Sequence, residues 1–159
     1  QSRELAELMN GEGEAVDAAV LEREFELIAN LPEVVGLSVV DGRLHVVVRA
    51  ICEYKGDKYY IGDWRIKVGA DTTEANATCL KSGVRHDWTG NYPVYGGGHS
   101  FCFGDRYGII AEHYRKSQHY EAVVLTIDCI RSVNDEHRKN IPRAFRKLTE
   151  EEVAQLEEK

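Results

Sequence analysis

Apolar segments separated by tight turns constrain the fold of this chain more than any other feature. The pair Asp41-Gly42 lies between two strand-like segments, which is typical of an antiparallel hairpin. A second turn, Lys55-Gly56-Asp57-Lys58, leads into a segment where apolar and charged residues alternate as in a half-buried strand. A weaker alternation follows, so the sequence predicts a four-stranded antiparallel meander. Its predicted strands are Val34 to Val40, Leu44 to Tyr54, the segment with Trp64, Ile66 and Val68, and a segment between Asn76 and Trp88.

Helical spacing of apolar residues predicts helices before and after this meander. Residues 15–30 form an amphipathic pattern that ends at Pro32, and Tyr120 to Val133 carry a second apolar stripe that ends at Asn134-Asp135. Thr149, with Glu152 three residues later, is typical of a capped terminal helix. We therefore predict an α+β fold whose central helix packs on one face of the sheet.

The length and composition are those of one folded domain. The chain has 159 residues, of which 43% are hydrophobic and 30% are charged. We expect an acidic N-terminal extension over residues 1–15, the domain itself over 16–148, and an acidic helix or tail over 149–159.

The negative charge of the chain is concentrated at its two ends. The net charge is −7, but residues 1–30 and 147–159 together carry −9, so the intervening body carries +2. This body lacks the broad positive excess of a nucleic-acid binder, and we expect no nucleic-acid partner. Basic residues between Arg131 and Lys147 form a local exception, interpreted as a solvated face or as a surface for an acidic partner.

Membrane insertion is not expected from this sequence. No stretch approaches the ~18 consecutive apolar residues of a membrane-spanning helix, and the first residues carry charges instead of the apolar core of a secretory signal. We expect a soluble protein of the cytoplasm.

The four cysteines differ in their sequence surroundings. They contain no C-x-x-C pair, so neither a disulfide framework nor a zinc ribbon is indicated. Cys52, Cys79 and Cys129 lie in apolar segments, where a cysteine is usually a small buried hydrophobe. Cys102 instead lies in the segment Gly90 to Gly108, which contains six of the 14 glycines and no regular apolar period. A long loop of this kind is commonly functional.

The order of helix, four-stranded meander, glycine-rich loop with one cysteine and apolar helix resembles the ubiquitin-conjugating enzyme family. In that family a His-Pro-Asn tripeptide precedes the catalytic cysteine by seven intervening residues. Here Tyr92-Pro93-Val94, seven residues and Cys102-Phe103 occupy the same frame. The resemblance covers residues 16–136 as topology, with Pro93 and Cys102 as its matching motif residues. The Cys-Phe-Gly loop is similar to divergent bacterial members that accompany ubiquitin-like proteins in antiviral operons.

The resemblance implies an acyl transfer that uses neither metal nor organic cofactor. Cys102 would accept a ubiquitin-like protein from an activating enzyme as a thioester and pass it to a lysine of a protein substrate. The family's oxyanion asparagine is replaced by Val94, so His99, Asn91 or His113 would have to supply a donor. A carboxylate after the central helix is also implied, with Asp135 as the best match and Glu136 or Asp105 as alternatives.

Three other interpretations stay open at the level of sequence. A non-catalytic adaptor of the same fold would bind a ubiquitin-like protein without forming a thioester. A cysteine hydrolase would pair Cys102 with His99, His113 or His119, although Gly104 and Gly108 disfavour the helix that usually begins at such a nucleophile. A zinc site formed by His99 and Cys102 would have fewer ligands than such a site needs.

Overall fold

The computed structural model describes residues 15–88, 100–132 and 138–157, with side chains described from residue 22 to residue 156 of these ranges. Its elements follow one another as a helix, a four-stranded meander and a group of C-terminal helices. They are α1 (Ala15–Ala29), β1 (Val34–Val40), β2 (Arg43–Tyr54), β3 (Asp57–Val68), β4 (Thr78–Ser82), a 3-10 turn (Gly104–Arg106), α2 (Tyr107–Arg115), α3 (His119–Arg131), α4 (Ile141–Ala144), β5 (Arg146–Lys147) and α5 (Glu150–Glu157).

The sheet is antiparallel and follows the chain order β1-β2-β3-β4. β1 pairs with β2 and β2 with β3 along most of their lengths, whereas β4 covers only Gly62 to Arg65 of β3. The short strand β5 pairs with Tyr59 and Tyr60, on β3 as well. The predicted meander is therefore confirmed.

Two tight turns set the register of the three long strands. Asp41 and Gly42 have φ values of 51° and 76°, and Lys55 and Gly56 have φ values of 50° and 85°. Positive φ at both central residues matches the right-handed twist of the flanking strands. Each turn occupies only two residues, so β3 begins at Asp57, within the segment predicted as a longer turn.

The core lies between one face of the sheet and the helices. Val46, Val48 and Ala50 alternate along β2 with no exposed surface, facing buried residues of α1 and α3. Phe25 and Ile28 of α1 and Ile130 of α3 are also fully buried. Burial of each large apolar side chain stabilises the fold by roughly 1.5 to 3 kcal/mol. The predicted packing of the central helix on the sheet is confirmed.

Several elements of the C-terminal half differ from the sequence prediction. The predicted loop reaches Gly108, but the 3-10 turn already begins at Gly104 and α2 begins at Tyr107. The strand β5 and the short helix α4 were not predicted. The central helix runs from His119 to Arg131. Its predicted last residue, Val133, and the predicted turn Asn134-Asp135 lie outside the described ranges. Within those ranges, no helix is long and apolar enough to cross a membrane.

Candidate active site around Cys102

Cys102 lies on an irregular segment that is tied to the edge of the sheet. Ser100 forms an isolated antiparallel bridge with Thr78 of β4. The backbone N–H of Phe101 donates to the carbonyl oxygen of Ala77 at 2.9 Å. These contacts hold the backbone immediately before the cysteine against a rigid element, as a positioned nucleophile requires.

The aromatic residues on both sides of Cys102 point into the protein. The Phe101 ring lies edge-on to Trp64, with ring centroids 5.5 Å apart, and 5.0 Å from the ring of Phe103. Trp64 is fully buried and Phe103 is 8% exposed, so both rings belong to the core region. Cys102, between the two anchored phenylalanines, is exposed.

The exposure of Cys102 distinguishes it from the other three cysteines. Burial raises the pKa of the Cys52 and Cys79 thiols to about 11, so both stay protonated at neutral pH. The Cys129 sulfur is buried and accepts a hydrogen bond from Nη1 of Arg106 at 3.4 Å. The interpretation of three buried thiols and one on an exposed loop is confirmed.

A helical turn begins two residues after Cys102. Gly104 has a φ of 58°, which is the left-handed region where glycine carries no steric penalty, and a Cβ at this position would meet no atom within 4 Å. Arg106 then donates its N–H to the Phe103 carbonyl oxygen at 3.1 Å. Gly108 is tolerated inside α2, but neither the 3-10 turn nor α2 begins at Cys102, so the sequence argument against a cysteine hydrolase is not contradicted.

The histidines described near this region are engaged in structural contacts. Nδ1 of His113 lies 2.7 Å from Oε1 of Gln118, across the turn between α2 and α3. His119 is fully buried, with Nδ1 3.1 Å from Oε2 of Glu24 and Nε2 3.2 Å from the Gly69 carbonyl oxygen. With both ring nitrogens occupied inside the core, His119 cannot act as a base for a surface thiol.

Several predicted site residues lie outside the described residues, so their positions relative to Cys102 are not part of this structure. Asp105, the alternative carboxylate, is exposed in the 3-10 turn three residues after Cys102. The candidates outside the described ranges are Asn91, Pro93, Val94, His99, Asp135 and Glu136.

Individual apolar side chains are exposed on the two helices that follow Cys102, and they were not predicted. Tyr107 and Ile109 of α2 are 40% and 57% exposed, and Val124 of α3 is 36% exposed. On its other positions, α2 buries Ile110, Ala111 and Tyr114. The helical spacing of Ile110, Ala111 and Tyr114 was the sequence signal for α2. The nearby glycines Gly104 and Gly108 led to the prediction of a loop instead.

Within the described ranges, no group of three or more His, Cys, Asp or Glu side chains is placed to hold a metal ion. No family model, no curated protein and no solved structure matches this chain. Support for a function therefore comes from the residues and contacts around Cys102.

Proposed function

We propose that this chain conjugates a ubiquitin-like protein, carrying it as a thioester on Cys102. The observation that carries the proposal is the position of Cys102, an exposed thiol between two inward-facing aromatic rings at the edge of the sheet. The surrounding order of α1, a four-stranded antiparallel meander and C-terminal helices is the order that the family resemblance implies. The structure has an α+β architecture with an antiparallel sheet. That this architecture is the specific ubiquitin-conjugating fold is part of the proposal.

The proposed chemistry consists of two acyl transfers at one sulfur atom. The Cys102 thiolate attacks the glycyl carbonyl of the activating enzyme's thioester, a carbon–sulfur bond forms, and the activating enzyme's thiolate leaves. A lysine amine of the target then attacks the same carbonyl, an amide bond forms, and the Cys102 thiolate leaves as the amine loses a proton. The acyl group changes partners without oxidation or reduction, so no cofactor takes part in the proposed mechanism.

The surroundings of Cys102 support the passage of a flexible peptide tail. The space around the missing Cβ of Gly104 is open, and this residue lies two positions from the sulfur-bearing residue. Tyr107 and Ile109 offer exposed apolar surface on the helix that follows. In the proposal, the folded body of the carried protein contacts these side chains.

Two auxiliary roles belong to the same proposal. His99 would donate a hydrogen bond to the tetrahedral oxyanion in place of the family's asparagine, and Asp135 would favour the reactive form of the incoming amine. Both roles rest on the resemblance and on position in the sequence. We expect Asp135→Asn to slow discharge to free lysine while leaving thioester formation intact.

The adaptor is the second candidate function, favoured by Val94 at the position of the family's oxyanion donor. The hydrolase is less well supported, because His113 and His119 are both held by other residues. His99 is then the remaining base among the three histidines considered.

Loading by an activating enzyme tests the proposal against the adaptor. The chain is incubated with ATP and with the activating enzyme and ubiquitin-like protein encoded by neighbouring genes, and the products are separated with and without reducing thiol. Conjugation predicts an adduct that thiol removes and that Cys102→Ala does not form. An adaptor would bind the ubiquitin-like protein and form no adduct, which would overturn the enzymatic proposal.

A further inference from the structure

A second concave surface lies away from Cys102, on the sheet side opposite the core. It is a groove of about 990 Å³ between the outer face of β2, the segment that leaves β4, and helix α5. Its walls include Ile51 of β2, Val84 after β4 and Leu156 of α5. None of its lining residues belongs to the segment 100–115, so the groove is separate from the candidate active site.

Cationic side chains outnumber carboxylates in the lining of this groove. Five cationic side chains line it, together with His86, whereas Glu152 is its only carboxylate among the described residues. The net charge of the whole chain is −7. The five cations are Arg49, Lys81, Arg85, Arg146 and Lys147.

Four of the five cations form ion pairs with carboxylates of this chain, including Arg49 with Asp63 at 3.1 Å and Arg146 with Glu152 at 2.9 Å. The two most exposed pairs involve Arg85 and Lys147. Arg85 pairs with Asp87 at 2.9 Å, with the two side chains 47% and 54% exposed, and Lys147 pairs with Asp57 at 3.4 Å, with 60% and 46% exposed. Exposed pairs of this kind contribute little to stability and exchange partners readily. The other four lining cations each have an ion-pair partner, whereas Lys81 has none among the described residues, so its ammonium group is available to an incoming anion.

The structure also divides the basic sequence cluster between Arg131 and Lys147. Arg131 and Arg138 donate to the carbonyl oxygens of Ile51 and Glu53 and thereby fix the C-terminal segment to β2. Arg146 and Lys147 instead lie on β5 and face the groove. Arg146 and Lys147 are thus the members of the cluster that line a concave surface.

We propose that this groove binds an acidic segment of a partner protein, with carboxylates on the basic rim and apolar side chains against Ile51, Val84 and Leu156. A basic rim around an apolar floor is complementary to a peptide in which acidic and apolar residues alternate. Nucleic acid is disfavoured, because the net charge of the chain repels a polyanion, and Tyr60, the only Phe, Tyr or Trp among the described lining residues, is 5% exposed and cannot stack on bases.

Fluorescence anisotropy with a defined probe tests this site. The probe is a fluorescein-labelled peptide in which pairs of glutamates alternate with single leucines, and the control probe carries glutamine in place of each glutamate. We expect saturable binding of the acidic probe that weakens as salt is raised. Lys81→Glu should weaken binding about tenfold or more, because it replaces an attraction by a repulsion at the rim.

Arg23→Glu is the matched control, since it changes the net charge equally on α1, outside the groove. It should change the affinity by less than about twofold. Leu156→Ser should also weaken binding, whereas Leu27→Ser, at an exposed position of α1, should not.

The proposal is overturned if the acidic probe fails to bind at low salt, if Arg23→Glu weakens binding as much as Lys81→Glu, or if single-stranded DNA binds more tightly than the peptide with the same dependence on Lys81. Loading of a glycyl thioester onto Cys102, measured in parallel, should be unchanged in Lys81→Glu. Failure at the groove and failure of the conjugating function are therefore distinguished.

Discussion

The Phe101 ring stands edge-on to the buried Trp64 indole, with centroids 5.5 Å apart and ring planes at 84°. This contact joins the segment that carries Cys102 to the centre of β3. Edge-to-face aromatic pairs are worth about 0.5 to 1.5 kcal/mol beyond the area that they bury. The candidate nucleophile is exposed, but the backbone that presents it is anchored in the core.

Removing this anchor should reduce the stability of the protein. We expect Phe101→Ala to lower the free energy of unfolding by about 2 kcal/mol, because a half-buried ring loses its contacts with Trp64 and Phe103. Cys102→Ala should change it by less than about 0.5 kcal/mol, since this side chain is exposed. Urea unfolding followed by tryptophan fluorescence measures the free energy of unfolding of both variants. Equal losses in the two variants would contradict the assigned anchoring role.

The exposure of the four thiols predicts their order of alkylation. Cys102 should react with iodoacetamide at least about tenfold faster than the others at neutral pH, because they are buried and burial raises the pKa of Cys52 and Cys79 to about 11. Peptide mass spectrometry after limited treatment identifies the modified residue. Earlier modification of Cys52, Cys79 or Cys129 would show that the loop does not expose Cys102 as described.

Glu24 of α1 connects the first helix of the fold to α3. Its Oε2 accepts from the backbone N–H of His119 at 3.2 Å and lies 3.1 Å from the Nδ1 of the same residue. We expect Glu24→Ala to cost about 2 kcal/mol of unfolding free energy, because a buried imidazole and a helix N-terminus both lose their acceptor.

The control for this prediction is Glu26→Ala, an exposed position on the same helix, which should cost less than about 0.5 kcal/mol. In a double-mutant cycle, Glu24→Ala and His119→Phe should be non-additive by about 1 kcal/mol or more. Additive effects would mean that the two side chains do not act as a pair.

The capping box that begins α5 should respond to acid. Glu152 accepts from Arg146 at 2.9 Å and from the Thr149 N–H at 3.0 Å, and these contacts hold its pKa at about 2, below the ordinary 4.5. A carboxyl group with a lowered folded-state pKa adds stability above its unfolded pKa and loses that contribution as pH falls. The helix should therefore loosen between about pH 4.5 and pH 2.

Backbone amide NMR of α5 during an acid titration measures this loss, and Glu152→Gln supplies the comparison. In that variant the change over the same pH range should disappear, while the helix is weaker at neutral pH. A titration of the α5 amides that persists in Glu152→Gln would assign the effect to another group.

Local sequence signals were sufficient to predict the meander, the first helix α1 and the capped terminal helix α5. Asp41-Gly42 and Lys55-Gly56 work as signals because each pair adopts positive φ, which few other residue pairs tolerate. Thr149 and Glu152 do form the reciprocal bonds of a capping box. In each case the determining contacts lie within a few residues of one another.

The elements that were missed depend on distant contacts. β5 has two residues and exists because Arg146 and Lys147 pair with Tyr60 and Tyr59, far away in the sequence. The inward anchoring of Phe101 depends on Trp64. The groove is formed by residues of five strands, α5 and the connecting segments. Charge counts along the chain could therefore indicate basic residues but not their arrangement around a concavity.

The central claim is that Cys102 is positioned to exchange a glycyl thioester, and intact-mass spectrometry with a short peptide thioester ending in Gly-Gly tests it most directly. The comparison is Cys102→Ala/Ser132→Cys, which places a thiol at another exposed position. Cys102 should form the thiol-labile adduct and discharge it to free lysine about tenfold faster than this control, and Cys102→Lys should hold the peptide as a stable amide. Equal rates at Cys102 and at the control cysteine, with no amide in Cys102→Lys, would contradict the account.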